Sequence, residues 1–91
     1  MEKLKSFLES LEDAKILDVG TGRGNFISLI DYLYSGYAKI VGIDILDKMV
    51  EIAEKHFEAN ERIKIVKRDI LDTGFPKEHF DLVCLSNSLH H

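Results

Sequence analysis

The stretch Asp18-Val19-Gly20-Thr21-Gly22-Arg23-Gly24 constrains this chain more than any other, because its three alternating glycines lie between an apolar run and a helical pattern. The order predicts a strand, a glycine turn and a helix. Glycines let the backbone bend sharply and let a ligand lie against bare main chain where a Cβ would intrude. A helix starting beside such a turn leaves amide N–H groups free for an anionic group.

The flanking pattern extends that unit in both directions. Leu4, Phe7, Leu8 and Leu11 fall at helical spacing and predict a short amphipathic helix covering one flank of a sheet. Ala14 to Val19 reads as a buried strand, and Asn25 to Tyr34 as the first crossover helix, with Gly36 as its left-handed C-cap. A second strand runs from Ala38 to Ile43 and ends at Asp44. Asp47 is the expected N-cap of a helix whose buried stripe is Met49, Ile52, Ala53 and His56, terminated near Asn60. Ile63, Ile65 and Val66 form a third strand, and Phe80 to Leu85 a fourth. Strands alternating with amphipathic helices predict a parallel α/β sheet with right-handed crossovers. The link over 68–79 holds Gly74 and Pro76 and shows no helical period.

Composition narrows the class. Hydrophobic residues make up 45% and charged residues 31%, the balance of a globular chain with a packed core. No linker or repeat divides residues 1–91, so one domain is expected. A net charge of −4 argues against a generally basic nucleic-acid surface. With one cysteine, Cys84, no internal disulfide forms, and a reducing, cytoplasmic setting is the simplest expectation. Neither a long apolar span nor a leader pattern points to a membrane or to secretion. Because an apolar strand such as Phe80 to Leu85 needs neighbours on both sides, the chain is expected to be the N-terminal portion of a larger domain. Left open, that fourth strand should pair with a copy and give a homo-oligomer.

Three features line up at the carboxyl ends of successive strands: the glycine turn, Asp44, and Asp69-Ile70. That edge of an open α/β sheet is where ligands bind. Asp44 could accept hydrogen bonds from both hydroxyls of a ribose. Asp69 could accept from the exocyclic amino group of adenine, with a backbone N–H of Ile70 or Leu71 donating to a ring nitrogen. Ile45, Met49 and Leu71 could wall an apolar base.

Taken together, ILDVGTGRGNF at 16–26, VGID at 41–44, KRDI at 67–70 and FDLVCLSNSLHH at 80–91 resemble the cofactor-binding half of class I S-adenosylmethionine-dependent methyltransferases. The resemblance covers nearly all of the chain after Asp13. It implies a Rossmann-like parallel sheet ordered 3-2-1-4-5-7-6 with helices on both faces, of which this chain holds the first four strands in the order 3-2-1-4. It implies S-adenosylmethionine as cofactor and S-adenosylhomocysteine as product. Carried over, the family's roles put Asp18, Gly20, Gly22 and Gly24, with Thr21 in the same turn, at the methionine part. They put Asp44 at the ribose, Asp69 with Ile70 at adenine, and Ser86 near the methionine amino group and acceptor pocket.

The sulfonium already carries an activated methyl group, so the protein's main task is alignment, and a fixed base is needed only where the acceptor must lose a proton. His90 and His91 are candidates for that base, against a reading as pocket wall or solvated tail. The family's Asn/Asp-Pro-Pro-Tyr signature of amino-group methylation on nucleic acid is absent. Ser86-Asn87-Ser88-Leu89 stands there instead, and the Ser-Leu-His-His ending resembles small-molecule methyltransferases.

Two rivals stay open. A nicotinamide dinucleotide fold also carries an acidic residue after its second strand, but its G-x-G-x-x-G spacing needs glycine at position 25, where this chain has Asn. A methyltransferase-like module that binds without turnover would share every motif above. A phosphate loop is excluded, since no Gly-Lys-Ser/Thr follows the glycines. Cys84 reads as core, His56 as a boundary residue, and Arg23 as either a cofactor-carboxylate contact or a solvent-facing side chain. Four scattered histidines make no zinc site.

Overall fold

The computed structural model describes residues 2–69, 71 and 80–85. In chain order these form α1 (Glu2–Glu9), β1 (Lys15–Val19), α2 (Asn25–Leu33), β2 (Lys39–Asp44), α3 (Asp47–His56), β3 (Ile63–Lys67) and β4 (Leu82–Leu85). The strands make one sheet in the order β3-β2-β1-β4, and every pair is parallel. This is the expected α/β architecture and strand order.

Strand alternation sorts the apolar side chains onto two faces. Ile16, Ile40, Ile63 and Ile65 join a large cluster with Ile27, Ile30 and Tyr34 from the α2 region and Val50, Ala53 and Phe57 from the α3 region. Leu8 of α1 and Tyr37 complete it. The opposite face holds Leu17, Val41 and Ile43, with Val19, Val66 and Phe80 packed against them. Burying β1 and β2 on both faces explains why their sequences read as continuous apolar runs.

Several local expectations shift. In α1, Leu8 is buried but Phe7 is 48% exposed, because a two-turn helix offers the sheet only a narrow stripe, and Leu11, past the helix end, is half-buried. The side chain of Leu4 lies outside those described. In α3 the buried stripe is Val50 and Ala53, continued by Phe57, one register away from Met49, Ile52 and His56. At the helix start Leu46 is the extended N-cap (φ −94°), and Asp47 is already helical. Asp44 Oδ1 accepts the Leu46 amide at 3.0 Å just before it. α2 ends at Leu33 with Tyr34 as its cap, and Gly36 is not left-handed. Asn60 shapes the entry to β3 instead of ending α3, its side chain accepting from the Arg62 amide.

Below the sheet's amino edge, one cluster clamps the loops. Tyr37 Oη donates to Asp31 at 2.7 Å and accepts from Asn60, while the Arg62 guanidinium lies 4.3 Å from the Tyr37 ring centroid. Arg62 also donates to the carbonyls of Ser35 and Tyr37. The α2–β2 connection is thereby tied to the start of β3. Most of the 68–79 link lies outside the described residues.

Candidate functional site

The site grows from the carboxyl end of β1. Parallel register sets Cys84, Asp18, Gly42 and Ile65 in one row across the sheet, all on the face that α2 and α3 cover. Asp18 is fully buried there and accepts the Thr21 hydroxyl at 2.7 Å. A buried carboxylate requires such donors, since desolvation without them is costly. Burial, reinforced by the Asp18 charge, pushes the half-buried Cys84 thiol up to about 11. It packs against the core cluster, as its position in an apolar strand suggests.

The turn then leaves the sheet through three left-handed glycines, Gly20 (φ 71°), Gly22 (φ 56°) and Gly24 (φ 88°). This region is costly for residues with a Cβ, which accounts for the alternating glycines. β2 holds the turn in place. The amides of Gly20 and Thr21 both donate to the Ile43 carbonyl, at 2.9 and 3.0 Å, and the Gly22 amide donates to Asp44 Oδ2 at 2.9 Å.

Space differs among these glycines. A Cβ on Gly22 would meet nothing within 4 Å, so bare main chain faces an opening. At Gly24 a Cβ would lie 2.3 Å from the Phe57 ring. Gly24 is thus required by helix packing, whatever else it does. Gly42, which sequence reasoning passed over, sits where a Cβ would come within 2.7 Å of Ile27 and 2.9 Å of the Thr21 hydroxyl oxygen. A lone glycine in a β-branched strand was the available signal.

Asp44, at the tip of β2, is largely buried, and each of its carboxylate oxygens already accepts one amide. Each oxygen retains a second lone pair for a ligand hydroxyl. Beside it Ile45 and Leu46 are exposed and Met49 is half-buried, an apolar rim at the same edge. The Arg68 amide donates to the Asp44 carbonyl, which brings the end of β3 alongside. Asp69 follows with an exposed side chain whose Oδ1 accepts the Leu71 amide, and Leu71 is exposed. An exposed ion pair at 2.8 Å between Lys67 and Asp47 ties the end of β3 to the first turn of α3.

The structure therefore ties Gly20 and Thr21 to the Ile43 carbonyl and Gly22 to Asp44, and sets Asp69 just past the end of the adjacent strand. Ile70, Ser86, His90 and His91 lie outside the described residues. Arg23 is exposed. His56 is also exposed, with Nε2 3.2 Å from Ser28 Oγ. No group of three or more potential metal ligands occurs among the described residues.

Comparisons with known proteins identify the family and the fold. Residues 16–91 match the methyltransferase domain family. The chain is 32% identical over 90 residues to phosphoethanolamine N-methyltransferase of Plasmodium falciparum, covering 99% of this chain and 33% of that protein. It is 34% identical over 91 residues to aklanonic acid methyltransferase DauC of a Streptomyces species, covering 96% and 40%. It thus spans between a third and two fifths of the length of these relatives. Its fold matches the crystal structure of a SAM-dependent methyltransferase from Aquifex aeolicus with a TM-score of 0.73, at 23% identity over 90% of this chain and 45% of the other. With the family matched and the strand order shared, the chain belongs to the class I S-adenosylmethionine-dependent methyltransferases.

Proposed function

We propose that this chain is the cofactor-binding half of a methyltransferase that acts on a small-molecule acceptor. The observation that carries this is the Gly22–Asp44 hydrogen bond, which joins the glycine turn and the tip of β2 into one rim beneath an opening. Bound there, S-adenosylmethionine would supply an activated methyl group on a sulfonium and leave as S-adenosylhomocysteine.

The chain's own residues bind and orient. Asp44 accepts the ribose hydroxyls with the lone pairs left beside its two amide donors. Bare main chain at Gly20, Thr21, Gly22 and Gly24, with Asp18 behind it, receives the methionine part. Asp69 and Ile70 take the adenine edge, Ile45, Met49 and Leu71 wall its faces, and Ser86 stands toward the acceptor. Proximity is the main catalytic device of such a site.

The small-molecule acceptor is supported by two relatives named for phosphoethanolamine and aklanonic acid, while two others are named for a release factor glutamine and for ribosomal protein L11. Their greater length supports placing the acceptor determinants in further segments, so that residues 1–91 form one cofactor domain without turnover of its own. Through the exposed apolar side chains Val83 and Leu85 of β4, the chain is proposed to associate with a second copy. No helix among the described residues is long and apolar enough to cross a membrane. With a single cysteine, a reducing, cytoplasmic setting is proposed.

Calorimetric titration with S-adenosylmethionine, S-adenosylhomocysteine and NAD tests the proposal. Binding of the first two and not of NAD is the expected outcome.

A further inference from the structure

The geometry points to Thr21, seated between Asp18 and Gly42, as the positioning residue that holds the glycine turn in its binding form, an inference that rests on the cofactor site proposed above. Thr21 belongs to a turn open to a ligand, yet only 5% of it is exposed. Its side chain points inward. The hydroxyl donates to Asp18, which is fully buried in the sheet.

The same residue is held through its main chain. Its amide donates to the Ile43 carbonyl, and its own carbonyl accepts the Gly24 amide at 2.9 Å. Three anchors on one residue fix the plane of the peptide that follows, whose N–H is the Gly22 donor to Asp44. Asp18 thereby acts on the ligand edge through Thr21, from one strand inside the core.

Gly42 makes the arrangement possible. It is the register partner of Asp18, and a methyl group there would lie 2.9 Å from the Thr21 oxygen and 3.0 Å from Ile65. Any larger residue would displace the hydroxyl from its acceptor. The VGID glycine and the turn threonine are therefore one device, with the hydroxyl as its moving part.

The test compares the wild-type protein with Thr21→Val, which keeps the shape and removes the donor, and with Thr21→Ser, which keeps the donor. Two readouts are taken: calorimetric affinity for S-adenosylhomocysteine, and amide hydrogen exchange at Gly22 by nitrogen-15 NMR. Thr21→Val should weaken affinity at least tenfold and speed Gly22 exchange at least tenfold, while Thr21→Ser stays within threefold of wild type on both. Equal affinity and equal exchange in Thr21→Val and a binding wild type would overturn the positioning role and leave the cofactor site standing. A wild type that binds no S-adenosylhomocysteine would overturn the cofactor site, and with it the inference. If Thr21→Val does not fold, Thr21→Ser decides alone, since a tenfold change in a variant that retains the hydroxyl contradicts the device.

Discussion

The Gly22 amide donates to Asp44 Oδ2 at 2.9 Å, so the turn after β1 and the tip of β2 move as one rim. Asp44 serves the rim twice, because its other oxygen accepts the Leu46 amide at the start of α3. Replacing Asp44 with alanine should cost about 1–3 kcal/mol in cofactor affinity, the range for charge-assisted hydrogen bonds lost from a bound ligand. Calorimetry on a variant shown to be folded by circular dichroism checks this. Unchanged affinity would remove Asp44 from the ribose site.

Gly24 faces the Phe57 ring, where a Cβ would sit 2.3 Å away at a φ of 88°. Gly24→Ala adds left-handed strain to overpacking, together about 2–4 kcal/mol of lost stability. Urea denaturation gives the value, and a double-mutant cycle with Phe57→Leu should show coupling because the smaller side chain leaves room for the methyl group. Additive losses would show that the two residues do not press on each other.

The Cys84 thiol, raised from 9.0 to about 11 first by burial and then by the Asp18 charge, holds its proton more tightly when folded than when unfolded. Its contribution to stability is therefore complete below pH 9 and lost as pH rises toward 11. Wild type should lose more stability across that window than Cys84→Ala. Parallel pH profiles, or thiolate absorbance already present below pH 9, would contradict the assignment.

β4 pairs with β1 and carries two exposed apolar side chains, Val83 at 38% and Leu85 at 59%. Neighbouring exposed apolar side chains favour association. Light scattering on the isolated 91-residue chain should show self-association that grows with concentration. A dilute, stable monomer would contradict it.

Much of this architecture was legible in the sequence, and the exceptions have physical causes. β1 and β2 are buried on both faces, so their apolar runs and the glycine turn between helix and strand announced themselves. The register of α3 did not, because Met49 and Val50 are apolar neighbours and the choice between them is made by packing of Val50, Ala53 and Phe57 against the sheet's core cluster. Gly36 offered a standard C-cap, but the α2 end is shaped by Tyr34, which packs into the core. The places of Asp44 and the alternating glycines, at the carboxyl ends of β2 and β1, could be read from type and spacing. The inward turn of Thr21 and the need for Gly42 depend on which residues the parallel register sets side by side, and a linear pattern carries no such cross-strand information.

Calorimetric titration of the protein with S-adenosylhomocysteine and, separately, with NAD tests the central claim most directly. The rim formed by Gly22 and Asp44 should bind S-adenosylhomocysteine with one site per chain and give no heat with NAD. Binding of NAD without S-adenosylhomocysteine would contradict it.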